Sequence, residues 1–109
     1  MSQIPRSYSS LTQEALLLLG KQIQLARKRY RMSEQDLADR VGVARSTLRL
    51  IEKGAPTVTI GLAFEAAVLT GVPLFVPEAT RLAPELERID DKLALMPKSV
   101  RIPKLDNNF

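Results

Sequence analysis

Residues 33–54 read SEQDLADRVGVARSTLRLIEKG, and two short helical patterns stand in this stretch on either side of a glycine. Ser33 can cap the first helix, because its hydroxyl can accept a backbone N–H of the opening turn. Asp36 nearly completes a capping box and also suits the positive end of a helix. Gly42 stands where a helix must end in a left-handed residue, a conformation that glycine adopts without steric cost. The stretch therefore predicts a helix, a tight turn and a second helix.

Each of these two helices has an apolar stripe and a polar outer side. The inward positions recur at helical spacing: Leu37, Ala38 and Val41 in the first helix, and Leu48 and Ile51 in the second, which ends at Gly54. The outer side of the second helix holds guanidinium and hydroxyl groups: Arg45, Ser46, Thr47 and Arg49. The pattern is typical of a helix-turn-helix, whose second helix reads base edges in the DNA major groove. The alternative is an ordinary helical hairpin with a solvated basic face.

The basic residues are concentrated in the first half of the chain. Residues 1–55 contain ten Lys or Arg and five acids, whereas residues 56–109 contain six basic and seven acidic side chains. A positive region of this kind is the expected footprint for a polyanionic partner such as DNA. A solvated basic surface is the alternative, which charge alone does not exclude.

Composition limits the other functions that the chain can have. Its 109 residues are enough for one small domain. Cys and His are both absent, which removes disulfides, the usual metal sites and most nucleophile–base pairs, so we expect neither an enzyme nor a cofactor. The start of the chain has no long apolar run, so we predict no signal peptide, no membrane helix and a cytoplasmic, nucleoid-associated protein.

The remaining segments predict an all-α fold of five helices. Residues 1–10 are polar and predict a flexible arm. Helix one is expected from Thr12 to Tyr30, with Gly20 inside it either as a close contact or as a tolerated weak point. Its end, ARKRYRM, carries four cations that suit a helix C-terminus and are also expected to contact phosphates. Helix four is predicted from Ile60 to Thr70, with Thr59 as its cap and Gly71 as its stop, and helix five from Pro84 to the residue before Pro97.

A short apolar run, VPLFVP at residues 72–77, predicts a strand. A single strand has unpaired edges, and no second strand is evident in the chain. Its own copy is the simplest partner, so we expect a homodimer whose contacts include Leu74, Phe75 and Val76. We assign residues 11–72 to DNA binding and residues 73–97 to dimerisation. The tail, residues 98–109, predicts a disordered segment whose Leu105 and Phe109 either bind a partner or are simply solvated.

Residues 20–72, GKQIQLARKRYRMSEQDLADRVGVARSTLRLIEKGAPTVTIGLAFEAAVLTGV, resemble the Xre-type helix-turn-helix family of phage Cro and repressor proteins. Within that family the layout is similar to the HipB-like antitoxins, through the GAPTVTI loop, the apolar run after helix four and the LDNNF end. That resemblance implies a small dimeric repressor of its own operon that also binds a HipA-like serine/threonine kinase toxin. A stand-alone Xre-family repressor is the second hypothesis. An adaptor that binds no DNA, or an enzyme, is the third.

The resemblance also implies how the residues meet a near-palindromic operator. Arg45, Ser46, Thr47 and Arg49 would enter the major groove, where an arginine can pair with O6 and N7 of guanine. Contacts to the DNA backbone would come from Lys28, Arg31, Ser33, Glu34, Arg40 and Lys53. Two positions depart from the family pattern. Glu34 stands where the family commonly has Gln, and Ala44 stands where it often has a capping Ser, so helix three is expected to lack a side-chain cap.

Overall fold

The computed structural model describes residues 7–99, and within them the chain forms five α-helices and no β-strand. The helices are α1 (Ser10–Arg29), α2 (Glu34–Val41), α3 (Arg45–Glu52), α4 (Ile60–Leu69) and α5 (Ala83–Ala94). The predicted all-α fold is therefore confirmed. The chain divides into one unit that ends at Glu78, with α1 to α4, and another that begins at Ala79, with α5.

The core of the first unit is small and is built from all four of its helices. Both α1 and α2 pack against α3 and against α4. Leu37, Ala38 and Leu48 have no exposed surface, so the predicted inward faces of α2 and α3 are the faces that meet. The remaining core residues come from α1, α3, α4 and the segment that follows α4: Ile23, Ile51, Ala66, Ala67 and Val72. Burial of these apolar side chains is the main force that holds α3 in place.

The α2–turn–α3 unit has the caps that its sequence predicts. The Ser33 hydroxyl accepts the backbone N–H of Asp36 at 3.0 Å, and the Asp36 carboxylate accepts the backbone N–H of Ser33 at 3.0 Å. Gly42 is left-handed at φ 88°, and its N–H donates to the Ala38 carbonyl at 2.8 Å. Ala44 is the N-cap of α3 and supplies no side-chain hydrogen bond, as expected. The turn between α2 and α3 is therefore formed by backbone conformation and backbone hydrogen bonds, without a side-chain cap on α3.

Gly20 joins α1 to α3 by backbone contact. A Cβ added at this position would lie 2.4 Å from the Glu52 carbonyl oxygen and 2.7 Å from the Ile51 carbonyl oxygen. Those distances are far below an ordinary van der Waals contact, so only glycine lets the two helices approach this closely. Of the two explanations for Gly20 that the sequence leaves open, close contact is the one observed.

A buried ion pair fastens the same two helices. The Arg27 Nε donates to Glu52 Oε2 at 2.7 Å and its Nη2 donates to Glu52 Oε1 at 3.0 Å, while Nη1 donates to the Met32 carbonyl at 3.0 Å. Arg27 is 6% exposed and Glu52 is 7% exposed. The hydrogen bond with Glu52 raises the pKa of Arg27, against the opposing effect of burial. The expectation that all four cations of ARKRYRM contact phosphates is therefore wrong for Arg27.

The segment 72–77 does not form the predicted strand. The Val76 N–H donates to the Leu74 carbonyl at 2.7 Å, and Phe75 between them has φ 66°. A bond across three residues with a left-handed centre is a γ-turn, which bends the chain and cannot extend a ladder. The Phe75 ring instead packs edge-on against Phe64, with ring centroids 5.9 Å apart.

Helix boundaries differ from the prediction by a residue or two. Helix α1 begins at Ser10, two residues before the predicted start, because the Ser9 hydroxyl accepts the N–H of Thr12 at 3.4 Å. Of the predicted arm, Ser10 belongs to α1, and residues 1–6 lie outside the described range. Thr59 is the N-cap of α4, as predicted, but its side chain makes no capping hydrogen bond. Residues 100–109, the greater part of the predicted tail, also lie outside the described range.

Candidate nucleic-acid interface

The side of α3 that packs on the core determines which of its side chains face solvent. Leu48 and Ile51 are buried, so with about 3.6 residues per turn the side chains away from them face solvent. The side chains exposed on this outer side are Arg45, Ser46, Arg49 and Leu50. Thr47, which the sequence assigned to the same set, is half-buried. Three of the four predicted base-reading residues are therefore exposed.

Leu50 belongs to this surface, although it was not among the residues predicted from the sequence. It is 43% exposed and lies one residue after Arg49 and four after Ser46. An apolar side chain on a reading helix can contact the C5-methyl group of thymine. The signal was present in the sequence, because Leu48 and Ile51 alone satisfy the inward spacing and leave Leu50 on the outer side.

Glu34 and Arg49 form an ion pair on the surface that α2 and α3 share. The Arg49 Nε donates to Glu34 Oε1 at 3.2 Å, and Arg49 Nη2 lies 3.1 Å from the same oxygen. The Arg49 and Glu34 side chains are 48% and 33% exposed, so the pair is open to solvent and to a ligand. Glu34 is predicted to contact the DNA backbone and Arg49 to read bases, and in the structure the two side chains bind each other directly.

A polar depression of about 260 Å³ lies beside this pair, lined by Gln24, Glu34, Arg49, Glu52 and Lys53. Lys53, predicted to contact the DNA backbone, is therefore at the edge of the Glu34–Arg49 pair. Gln24 is a half-buried residue of α1 that sequence reasoning did not assign to the site. The depression brings residues of α1, α2 and α3 to one place.

The other predicted backbone contacts are distributed over helix ends and turns. Lys28, Arg31 and Arg40 are exposed, and none of them pairs with an acidic group within residues 7–99. Arg31 has φ 55° and occupies the turn between α1 and α2. Ser33 is engaged as the cap of α2, where its oxygen accepts a hydrogen bond and its hydroxyl proton can still donate to a phosphate.

The predicted dimerisation residues do not share one environment. Phe75 is 82% exposed, whereas Leu74 is partly buried against the core. Val76 is half-buried. The predicted partner-binding residues Leu105 and Phe109 lie outside the described residues.

Within residues 7–99, no helix combines the length and the apolar character that crossing a membrane requires. That part of the chain also brings together no group of three or more His, Cys, Asp or Glu side chains that could hold a metal ion.

Comparison with known proteins identifies the unit that carries this surface. A family model described as "Helix-turn-helix" matches residues 23–76, from within α1 to the segment after α4. No curated protein and no solved structure gives a significant match to the chain. Residues 23–76 are therefore a helix-turn-helix domain, the kind of domain through which transcription regulators bind DNA. The predicted helix-turn-helix is confirmed for these residues.

Proposed function

We propose that the protein is a sequence-specific transcriptional repressor that inserts α3 into the major groove of a near-palindromic operator. One observation carries the proposal: α3 packs Leu48 and Ile51 into the core and presents four other side chains together on the outside, namely Arg45, Ser46, Arg49 and Leu50. Those groups can donate to guanine, exchange hydrogen bonds with any base edge and contact a thymine methyl. The matched helix-turn-helix family supports the same function.

The exposed cations supply the part of binding that does not depend on sequence. Lys28, Arg31, Arg40 and Lys53 are the proposed phosphate contacts, together with the Ser33 hydroxyl and the backbone N–H of Glu34 at the start of α2. Each neutralised phosphate releases counterions, so affinity should fall steeply as salt rises. These contacts position the domain while α3 reads the bases.

The proposal is tested by selecting bound sequences from a randomised duplex library and then measuring affinity across salt concentrations. Arg45→Ala should weaken binding to the selected sequence more than binding to random DNA, by about 1–3 kcal/mol. Lys28→Ala should weaken both alike and lower the salt slope by about one phosphate. Arg81→Ala removes an equal charge from the second unit and should change neither. Selection of no common sequence by the wild-type protein would refute the proposal.

We also propose that the repressor is a homodimer whose interface includes residues 73–77. Phe75 makes an edge-on contact with Phe64 and is still 82% exposed, and exposed aromatic side chains are frequent anchors of protein interfaces. Phe75→Asp should give monomers that keep their helical content but bind a two-half-site operator poorly. Leu11→Asp, an equal change at an exposed residue of α1, is the control. A wild-type protein that light scattering finds monomeric at concentrations on the order of tens of micromolar would exclude this dimer.

A second candidate function is that of an antitoxin that also binds a HipA-like serine/threonine kinase. The observation that favours it is the apolar stripe on α5 and just beyond it, where all four members are exposed: Leu86, Ile89, Leu93 and Met96. Exposed apolar stripes of this kind mark interaction sites. The sequence resemblance supplies the identity of the proposed partner.

The first test of the antitoxin function is whether a gene for such a kinase lies beside the gene for this protein. Deletion of residues 98–109, which contain Leu105 and Phe109, should leave operator binding nearly intact but weaken capture of that kinase and protection of cells from it. Full protection by the truncated protein would show that the tail plays no part. Absence of kinase binding by the full chain would leave the stand-alone repressor.

A further inference from the structure

We infer that Glu34 and Arg49 act as one unit in base recognition. Glu34 orients the Arg49 guanidinium so that it can donate to a guanine, and Glu34 itself accepts a hydrogen bond from the amino group of a neighbouring cytosine. The inference rests on the proposed DNA-binding function and assigns part of its specificity. It gives the Glu34 side chain a role in base recognition, in addition to the phosphate contact proposed for the Glu34 backbone N–H.

The geometry of the pair leaves the right groups unoccupied. Glu34 Oε1 takes the Nε side of the guanidinium, at 3.2 Å from Nε and 3.1 Å from Nη2. Within residues 7–99 neither Arg49 Nη1 nor Glu34 Oε2 makes a hydrogen bond. The guanidinium is planar and has five N–H donors, so its Nη1–Nη2 edge can still donate two parallel bonds to O6 and N7 of guanine. The carboxylate keeps an oxygen that can accept a cytosine N4 proton.

The pair contributes little to the stability of the fold. Both side chains are partly exposed, and ion pairs in that setting are weakened by solvent and salt. Its effect on DNA binding is greater, because a long arginine side chain is ordered before the DNA arrives. Glu34 therefore acts on recognition through the orientation of Arg49.

The negative charge of Glu34 provides discrimination as well as orientation. A carboxylate near phosphates weakens binding to any DNA, and opposite thymine it would meet the O4 acceptor and repel it. Opposite cytosine it meets a donor. The neighbouring cation Lys53, which lines the same depression, can offset part of the repulsion from the backbone. The pair therefore lowers affinity for other sequences more than for a site that offers the guanine to Arg49 and the neighbouring cytosine to Glu34.

The test compares sequences selected from a random duplex library by the wild-type protein, Glu34→Gln, Arg49→Lys and the double variant. The first substitution removes the charge but keeps the size of the side chain, and the second keeps the charge but loses the planar fork. We expect each single variant to lose about tenfold of the preference at one G·C-containing position, while Glu34→Gln binds random DNA more tightly. Asp39→Asn removes an equal charge from the exposed side of α2 and should change no preference.

The double variant separates one unit from two independent readers. If Glu34 and Arg49 act together, the double variant loses less preference than the sum of the losses of the two single variants. Losses that add, or a Glu34→Gln variant that selects the wild-type sequence with unchanged preference, would overturn the inference. Selection of no common sequence by the wild-type protein would instead count against the proposed function, so the two failures are distinguishable.

Discussion

Replacing Gly20 with alanine should destabilise the protein, although alanine is the better helix former. The added Cβ would lie 2.4 Å and 2.7 Å from two carbonyl oxygens at the end of α3. Both neighbours are backbone atoms, so no side chain can rotate away and the helices themselves must move apart. Because α3 carries the proposed base-reading surface, such a movement also changes how that surface is presented.

The size of the effect follows from two opposed terms. Alanine in place of glycine inside a helix is worth about 1 kcal/mol of stability. An extra methyl group forced into a packed region costs about 1–3 kcal/mol, and backbone neighbours place this site at the upper end. The expected result is a net loss of about 2 kcal/mol in the free energy of unfolding, which corresponds to a fall in Tm of roughly 8–16 °C for a domain of this size.

Gly61 is the matched control within the same protein. It also lies in a helix, α4, but a Cβ added there would meet nothing within 4 Å. Gly61→Ala should therefore stabilise the protein by up to about 1 kcal/mol. Urea unfolding followed by circular dichroism measures both variants. A Gly20→Ala variant as stable as Gly61→Ala would refute the close contact between α1 and α3.

Three further predictions concern side chains whose hydrogen bonds stabilise the fold. Glu52→Leu should cost about 3–5 kcal/mol in urea unfolding by leaving Arg27 unpaired, and adding Arg27→Met should recover much of it; no recovery would contradict the pairing. The Ser33 backbone N–H lowers the pKa of Asp36, so its contribution to stability is present above the unfolded pKa and lost as pH falls through the folded one. The stability gap between wild type and Asp36→Asn should thus close in acid. Thr70→Val should cost about 1 kcal/mol, because the buried hydroxyl donates to the Ala66 carbonyl at 2.8 Å.

Local chemistry explains which parts of the structure could be predicted from the sequence. The capping box at Ser33 and Asp36, the left-handed Gly42 and the uncapped Ala44 each depend on residues within a few positions of one another. Helical spacing likewise separated the inner from the outer side of α3. These features require no knowledge of long-range packing. The caps and the left-handed turn are all observed, and the outer side of α3 differs from the prediction at Thr47, which is half-buried, and at Leu50, which is exposed.

Contacts between distant residues could not be predicted in the same way. Arg27 and Glu52 are 25 residues apart, and Glu34 and Arg49 are 15 apart, so no local pattern joins them. The predicted strand at 72–77 failed for a related reason. Its composition fits a strand, but packing of Phe75 on Phe64 and the left-handed turn favour a bend in the first unit.

The two arginine–glutamate pairs that involve α3 differ in what DNA can do to them. The Arg27–Glu52 pair is almost fully buried, so breaking it would leave an uncompensated buried charge. We therefore expect Arg27 to stay bound to Glu52 when DNA binds. The Glu34–Arg49 pair is partly exposed, so DNA can share or replace its bonds with little loss of stability. Burial therefore assigns the first pair to holding α3 against α1. The exposure of the second pair allows its side chains to bind a base. The same arginine–glutamate chemistry therefore stabilises the fold at one site and recognises DNA at the other.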